Sequence, residues 1–425
     1  MAFFNSIWLK IFLCLLIIAI VLNESFINVN KDFTIFIEAS KLVFEGKNCY
    51  NIWLHSGTAG LKYYYSPLFA VILFPLKDLP QGVANFGWLS FNLFLILRIF
   101  RLVVSLLEIR KEPTLNIQYF ILFLLLVSFR FIFDCFSLGQ MTFILVWATL
   151  ESLRLINQNK KIRGSFLLAL VINIKLLPIA VLAYYFYKGE LKAAFLTTIF
   201  WVAFLIVPSF FIGFNFNNLL LAEWFESIFN ASTNSLTEDY GRQSLSSFVP
   251  ALFMETPIQF GIKRNLLNLS SSQVTILLSL LRMLIIIMTL LIIGNPFNNA
   301  IDSKKTYYEI SLICALTPLF FPHQGNYSFL YLLPAYAYCI FVIMKETSNK
   351  METVGRINYC ISFGFIILSF TLGTLTTSGI LGRKLANISE YLCCITISTL
   401  SLLISMILLR PKKSNNFFNS ESLHP

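Results

Sequence analysis

The sequence predicts an all-α polytopic membrane protein, and three observations carry that reading. Hydrophobic residues make up 57% of the 425 and charged residues only 12%, about half the charge of a soluble domain. Mean hydropathy is +0.74. Apolar runs of about 20 residues, the length a helix needs to cross hydrocarbon, recur along the chain between short polar breaks. No stretch is long enough for a separate soluble domain, so residues 1–425 read as one integral membrane domain.

Taken in order, the run from Ile7 to Val21 lacks a small-residue cleavage site after it and reads as a retained first helix, about 7–23. Further spans are expected near 82–106, 115–133, 140–156, 191–212, 273–294, 306–322, 326–345, 357–377 and 389–409. Residues 164–187, GSFLLALVINIKLLPIAVLAYYFY, must leave and regain one side of the membrane within 24 residues, which predicts two half-helices turning near Lys175 and Pro178. Residues 63–80 are apolar but broken by Pro67 and Pro75, and the parity of flanking charges makes them re-entrant or surface-lying. The total is about 12 spanning or half-spanning helices.

The net charge of +11 is not laid along one face, as nucleic-acid binding would require. Lys and Arg instead cluster between apolar runs: Arg98/Arg101/Arg110/Lys111, Arg154/Lys160/Lys161/Arg163, Lys188/Lys192, Lys304/Lys305, Lys345/Lys350/Arg356 and Arg410/Lys412/Lys413. Positive short loops mark the cytoplasmic side. Both termini are therefore expected inside, with 410–425 a cytoplasmic tail. That sends 24–65, 134–140, the turn at 175, 213–272, 322–326 and 378–388 to the outer side, where loops on a rigid bundle are expected to hold the chemistry. The eight Cys have no metal-ligand spacing and mostly sit in apolar runs, as small core residues do.

Candidate residues lie in those outer segments. Asp32 precedes an amphipathic stretch closed by Gly46. It suits an N-cap, and it equally suits a general base that takes a proton from an attacking hydroxyl. Arg130 sits inside a span with Asp134 one helical turn on and Gln140 beyond, in FRFIFDCFSLGQMTF. An ionisable group at that depth faces a wet cavity or a partner, so a site and a simple ion pair both remain open. Lys175 in a broken helix is placed to hold a phosphate. EDYGRQSLSSF contributes Arg242 and Gln243, FFPHQGNYSF contributes His323, and Arg282 lies part-way into a helix where a lipid phosphate can reach it. There is no Walker loop, dinucleotide turn, zinc pair, G-x-S-x-G or D-x-D pair, which disfavours a metal-chelated nucleotide-sugar donor.

Five stretches in this order resemble glycosyltransferase family 87, the polytopic bacterial enzymes of the GT-C fold that use polyprenyl-phosphate sugars. They are DFTIFIEASKLVFEGKNCYN, YYYSPLFAVILFPLKDLP, LGQMTFIL, NIKLLPIAVLAYYFYKGELKAA and GRQSLSSF. One departure is Ser66, where the family often has a second Pro before Pro67. The resemblance implies an inverting sugar transfer at the outer face of the bacterial inner membrane, to a lipid-linked or polysaccharide acceptor, with mannose the expected sugar and arabinofuranose the alternative. It further implies that Asp32 is the catalytic base and that Lys175 helps hold the donor phosphate; Tyr64 and Tyr65, in the second of these stretches, are further substrate-binding candidates. Neither a metal nor a cofactor is called for. A phosphate leaves without being protonated, so one carboxylate replaces the acid and base pair of an inverting glycosidase.

Two other classes share this hydropathy. A flippase or transporter predicts broken helices at matching positions in two halves, and only the break near 175 is found. A polymerase or ligase acting on lipid diphosphates is expected to concentrate Arg in a late outer loop; here the long loop precedes residue 273 and carries only Arg242, Lys263 and Arg264.

Overall fold

The computed structural model describes residues 7–27, 31–56, 59–233, 236, 241–297, 303–346 and 353–411. The chain starts with α1 (Ile7–Phe26) and the amphipathic α2 (Lys31–Phe44). Gly46, at φ +71°, stops α2 in a left-handed turn where Lys47 N–H reaches back to Leu42 O at 2.8 Å. A two-stranded antiparallel hairpin, β1 (Leu54–Ser56) and β2 (Ala59–Leu61), follows, in the register His55 to Gly60. Pro67 opens the short α3 (Pro67–Ile72), with Pro75 in the turn after it. Six helical residues span about 9 Å, so 63–80 does not cross a bilayer.

Then come α4 (Gln81–Leu106), α5 (Ile117–Ser137), α6 (Thr142–Asn157), α7 (Lys161–Ile174), α8 (Ile179–Lys188), α9 (Leu191–Ile206) and the one-turn α10 (Ser209–Ile212). Asn116 caps α5 by accepting from Gln118 N at 2.8 Å, and Gly189 at φ +78° ends α8. The break between α7 and α8 falls at Lys175, whose backbone is extended, and Pro178, as the half-helix reading requires.

The expected loop 213–272 is half helix: α11 (Phe214–Thr233) and α12 (Leu245–Phe253). In α11, Asn217, Leu220, Trp224 and Ser227 are all buried, the three-to-four spacing of an amphipathic helix that the surrounding polarity obscures. The rest is α13 (Ser271–Ile293), opened by a Ser270/Gln273 capping box, α14 (Ser303–Phe320), a 3₁₀ turn (Asn326–Leu332) leading into α15 (Leu333–Glu346), α16 (Thr353–Gly373), α17 (Ser378–Tyr391), and α18 (Cys394–Leu408).

The expected count of about 12 spanning or half-spanning helices is not confirmed. Among the described residues, five helices are long and apolar enough to cross, and six if the bent pair α16 and α17 counts as one span. The reason is local. The 16 residues of α6 and 15 of α18 reach only about 24 and 22 Å, short of a hydrocarbon core of about 30 Å. α14 spends three of its 18 positions on Lys304, Lys305 and Glu309.

Two cores result. The larger joins α4–α9 to α12–α16 and α18. The smaller packs α2, the hairpin, the Tyr63–Leu73 segment and α11 over the end of the bundle, around Phe33, Phe36, Tyr65, Phe69 and Trp88. Phe33 stacks on Trp88 with ring centroids 4.9 Å apart. This cap brings the polar segments together.

Candidate active site

Asp32 stands in the first turn of α2, one position inside the helix rather than at the N-cap expected of it. An acid there still meets the positive end of the helix dipole. Phe33 and Phe36 are buried in the smaller core and fix the helix, leaving Asp32 partly buried at its edge. The side-chain amide of Gln140 donates to the Asp32 carboxylate.

Gln140 is held for that contact by its own backbone. Gly139 takes φ +63°, and Gln140 N–H returns to Cys135 O at 2.8 Å, ending α5. Trp88 donates its indole N–H to Gly139 O at 2.7 Å, and Asn92 donates to Gln140 O at 3.3 Å. The Tyr65 hydroxyl lies 3.5 Å from the Gln140 side-chain oxygen. The turn between α5 and α6 is thereby fastened to α4.

Lys175 enters from the turn between α7 and α8. Ser66 donates its hydroxyl to Asn173 Oδ1 at 2.9 Å and its backbone N–H to Ile174 O at 3.3 Å, just ahead of Lys175. A Pro at 66 supplies neither bond, so the departure from the family pattern is used structurally here. The ammonium lies over the rings of Tyr65 (5.4 Å) and Tyr327 (5.8 Å). Burial lowers the Lys175 pKa to about 8; the Asp32 charge pulls it back up and the Arg242 charge pushes it further down. Asp32, Lys175 and Arg242 thus share one electrostatic environment.

Arg242 donates to the backbone carbonyl of His323 at 3.1 Å, and Gln243 N–H donates to Gln324 O at 3.0 Å. Tyr64 is half exposed beside Arg242, and its carbonyl accepts from Trp224 at 3.2 Å. His323 joins through its backbone, in a left-handed turn at φ +59°. The acids Glu238 and Asp239 of the same motif lie outside the described residues.

Arg130 and Asp134 lie in a neighbouring network. Arg130 is 3% exposed, donates to Thr376 Oγ1 at 2.7 Å and Glu390 Oε1 at 2.8 Å, and has Asp134 at 3.7 Å. Asn326 donates to the same Glu390 oxygen at 2.6 Å. Both readings of Arg130 thus meet a partner that lies far off in sequence, Glu390. Arg282 is apart again: it donates to Ser246 Oγ at 2.7 Å and Phe320 O at 3.0 Å, while its Nε has no hydrogen-bond partner. It lines an apolar groove of about 620 Å³ between α8, α13 and α14, which begins at Ile179, just past the Lys175 turn.

Sequence reading passed over Asn92, Asn173, Tyr327 and Glu390. Asn92 and Asn173 carried a usable signal, a buried amide in an otherwise apolar helix. Tyr327 and Glu390 carried none.

The cluster pairs a carboxylate with an ammonium and a guanidinium. Those groups can deprotonate a hydroxyl while steadying an anion. No curated protein and no solved structure matches the chain. The sequence model of glycosyltransferase family 87 matches residues 63–322, which include Tyr64, Tyr65, Arg130, Asp134, Gln140, Lys175, Arg242, Gln243 and Arg282 and leave Asp32 and His323 outside. That match spans more than half of a chain rich in apolar helices: this multi-pass membrane protein belongs to glycosyltransferase family 87.

Proposed function

We propose that the chain transfers a sugar, mannose in the favoured reading, from a polyprenyl-phosphate donor to a lipid-linked or polysaccharide acceptor at the outer face of the bacterial inner membrane. The observation that carries this reading is the meeting of Asp32, Gln140, Lys175 and Arg242 from four separate segments, with the charges of Asp32 and Arg242 both felt at Lys175.

In this mechanism the acceptor hydroxyl hydrogen-bonds to Asp32, with Gln140 fixing the carboxylate. As the hydroxyl oxygen attacks the anomeric carbon, Asp32 takes its proton. The bond to the phosphate breaks on the opposite side, so the anomeric centre inverts. Lys175 and Arg242 hold the departing phosphate, a task for positioned cations. The prenyl chain lies along α8 in the groove beginning at Ile179, and Arg282 offers its spare Nε–H at that wall.

The test is a donor comparison in membranes containing the protein. Labelled polyprenyl-phosphate mannose is expected to lose its sugar to endogenous acceptor with inversion, and the matching nucleotide sugar is not. Transfer from the nucleotide sugar alone, or retention at the anomeric carbon, overturns the reading.

A further inference from the structure

A second groove, of about 1000 Å³, lies between α1, α4 and α5 on the lipid-facing surface. Its walls are apolar along their length: Leu97, Leu125, Phe129 and Phe133 are each between 39% and 55% exposed. Its polar groups collect at one end, where Arg101, Arg110, Lys111 and Glu108 line it. Lys111 pairs with Glu108 at 2.8 Å. Among the described residues Arg101 and Arg110 are left as exposed cations facing this end.

This end is remote from Asp32. Asn92 of α4 touches Gln140, which touches Asp32. Arg101 is nine residues further along α4, about 14 Å at 1.5 Å per residue, and Arg110 lies in the turn beyond the end of α4 at Leu106, which is itself about 21 Å along the helix from Asn92. A molecule whose anion sits on Arg110 therefore has that charge in the opposite leaflet from the site, where the donor phosphate of the proposed reaction has no place. The volume is at the upper end for ligand cavities, roughly 300–1,000 Å³. An occupant needs an apolar body about as long as one leaflet and an anionic head that two guanidinium groups can grip in bidentate fashion.

We infer that this groove holds an anionic phospholipid, its phosphate between Arg101 and Arg110 and its acyl chains along α4 and α5 toward Phe133. The site is separate from the sugar-transfer centre and does not depend on the proposed reaction. Each cation facing an anionic lipid head contributes about a fivefold preference, so two together set an anionic-over-zwitterionic preference on the order of 10- to 30-fold.

The experiment is lipid analysis of the full chain extracted in mild non-ionic detergent from membranes of known phosphatidylglycerol and phosphatidylethanolamine content. Wild-type protein is expected to retain phosphatidylglycerol enriched at least tenfold over the membrane ratio, and the Arg101→Gln/Arg110→Gln double variant to fall to within about twofold of it. Both residues are exposed, so the variant is expected to fold; if it does not, 1 M salt on wild-type protein is expected to reduce the enrichment similarly. Equal retention of the two lipids by wild-type protein, or enrichment surviving both the variant and salt, overturns the inference. So does a dimer burying this face with no lipid retained, since the occupant is then a second copy.

Discussion

Lys175 is asked to be a cation in a place that favours its neutral form. Its pKa near 8 means that the free protein loses this charge as pH rises through 8. A bound phosphate favours the ammonium, so donor affinity is expected to be full below pH 8 and to weaken above it. Measuring donor KM from pH 6.5 to 9.5 checks this, and Lys175→Arg, charged throughout, is expected to flatten the profile. Lys175→Gln is expected to raise donor KM about tenfold or more at pH 7. Ser66 makes a separate prediction of stability. Ser66→Ala strips a buried acceptor on Asn173 of its partner, which costs about 1–3 kcal/mol, read as a lower melting temperature with donor KM changed less than about threefold.

At the scale of elements, the site depends on how turns are tied down. The α5–α6 turn is fastened to α4 by Trp88 and Asn92, and the end of α5 to α17 by Arg130 and Glu390. Removing one partner of a buried ion pair strands the other, at about 3–5 kcal/mol. Arg130→Met is therefore expected to lower the melting temperature in detergent far more than any change at Asp32. A melting temperature within 2 °C of wild type would remove the clamp. Some of these elements could be read in advance. The half-helices around Lys175 follow from an apolar run too short for two crossings and interrupted by Lys and Pro. The helix α11 was not legible, because four buried positions in a segment with Asn215, Asn217, Asn218, Glu223 and Glu226 look like a solvated loop until Trp224 is seen under Tyr64.

For the whole molecule, hydropathy and charge clustering indicated a helical membrane bundle, but the count of about 12 spanning or half-spanning helices is not confirmed. A helix such as α14, nearly all buried by its neighbours, is apolar for the sake of the protein core as well as the lipid. Hydropathy does not separate the two. Convergence across distant segments was legible only where chemistry demanded it, as for Asp32 and Lys175; the pairing of Arg130 with Glu390, 260 residues apart, has no trace in either local sequence. The proposed topology has its own check. With Cys360 replaced by Ser, single cysteines at Lys47 and Lys263 are expected to react with an impermeant maleimide from outside intact cells, and one at Lys160 only after permeabilisation. Labelling of Lys160 from outside would invert the orientation.

The central claim is that one carboxylate performs the proton transfer. The most direct measurement is the single-turnover rate of sugar transfer from a labelled polyprenyl-phosphate donor by Asp32→Asn, at saturating donor, beside wild-type protein of equal melting temperature. Loss of a general base predicts a fall of about 10²- to 10⁴-fold with donor affinity kept within about threefold. A fall of less than about tenfold would contradict the assignment of Asp32 as the base.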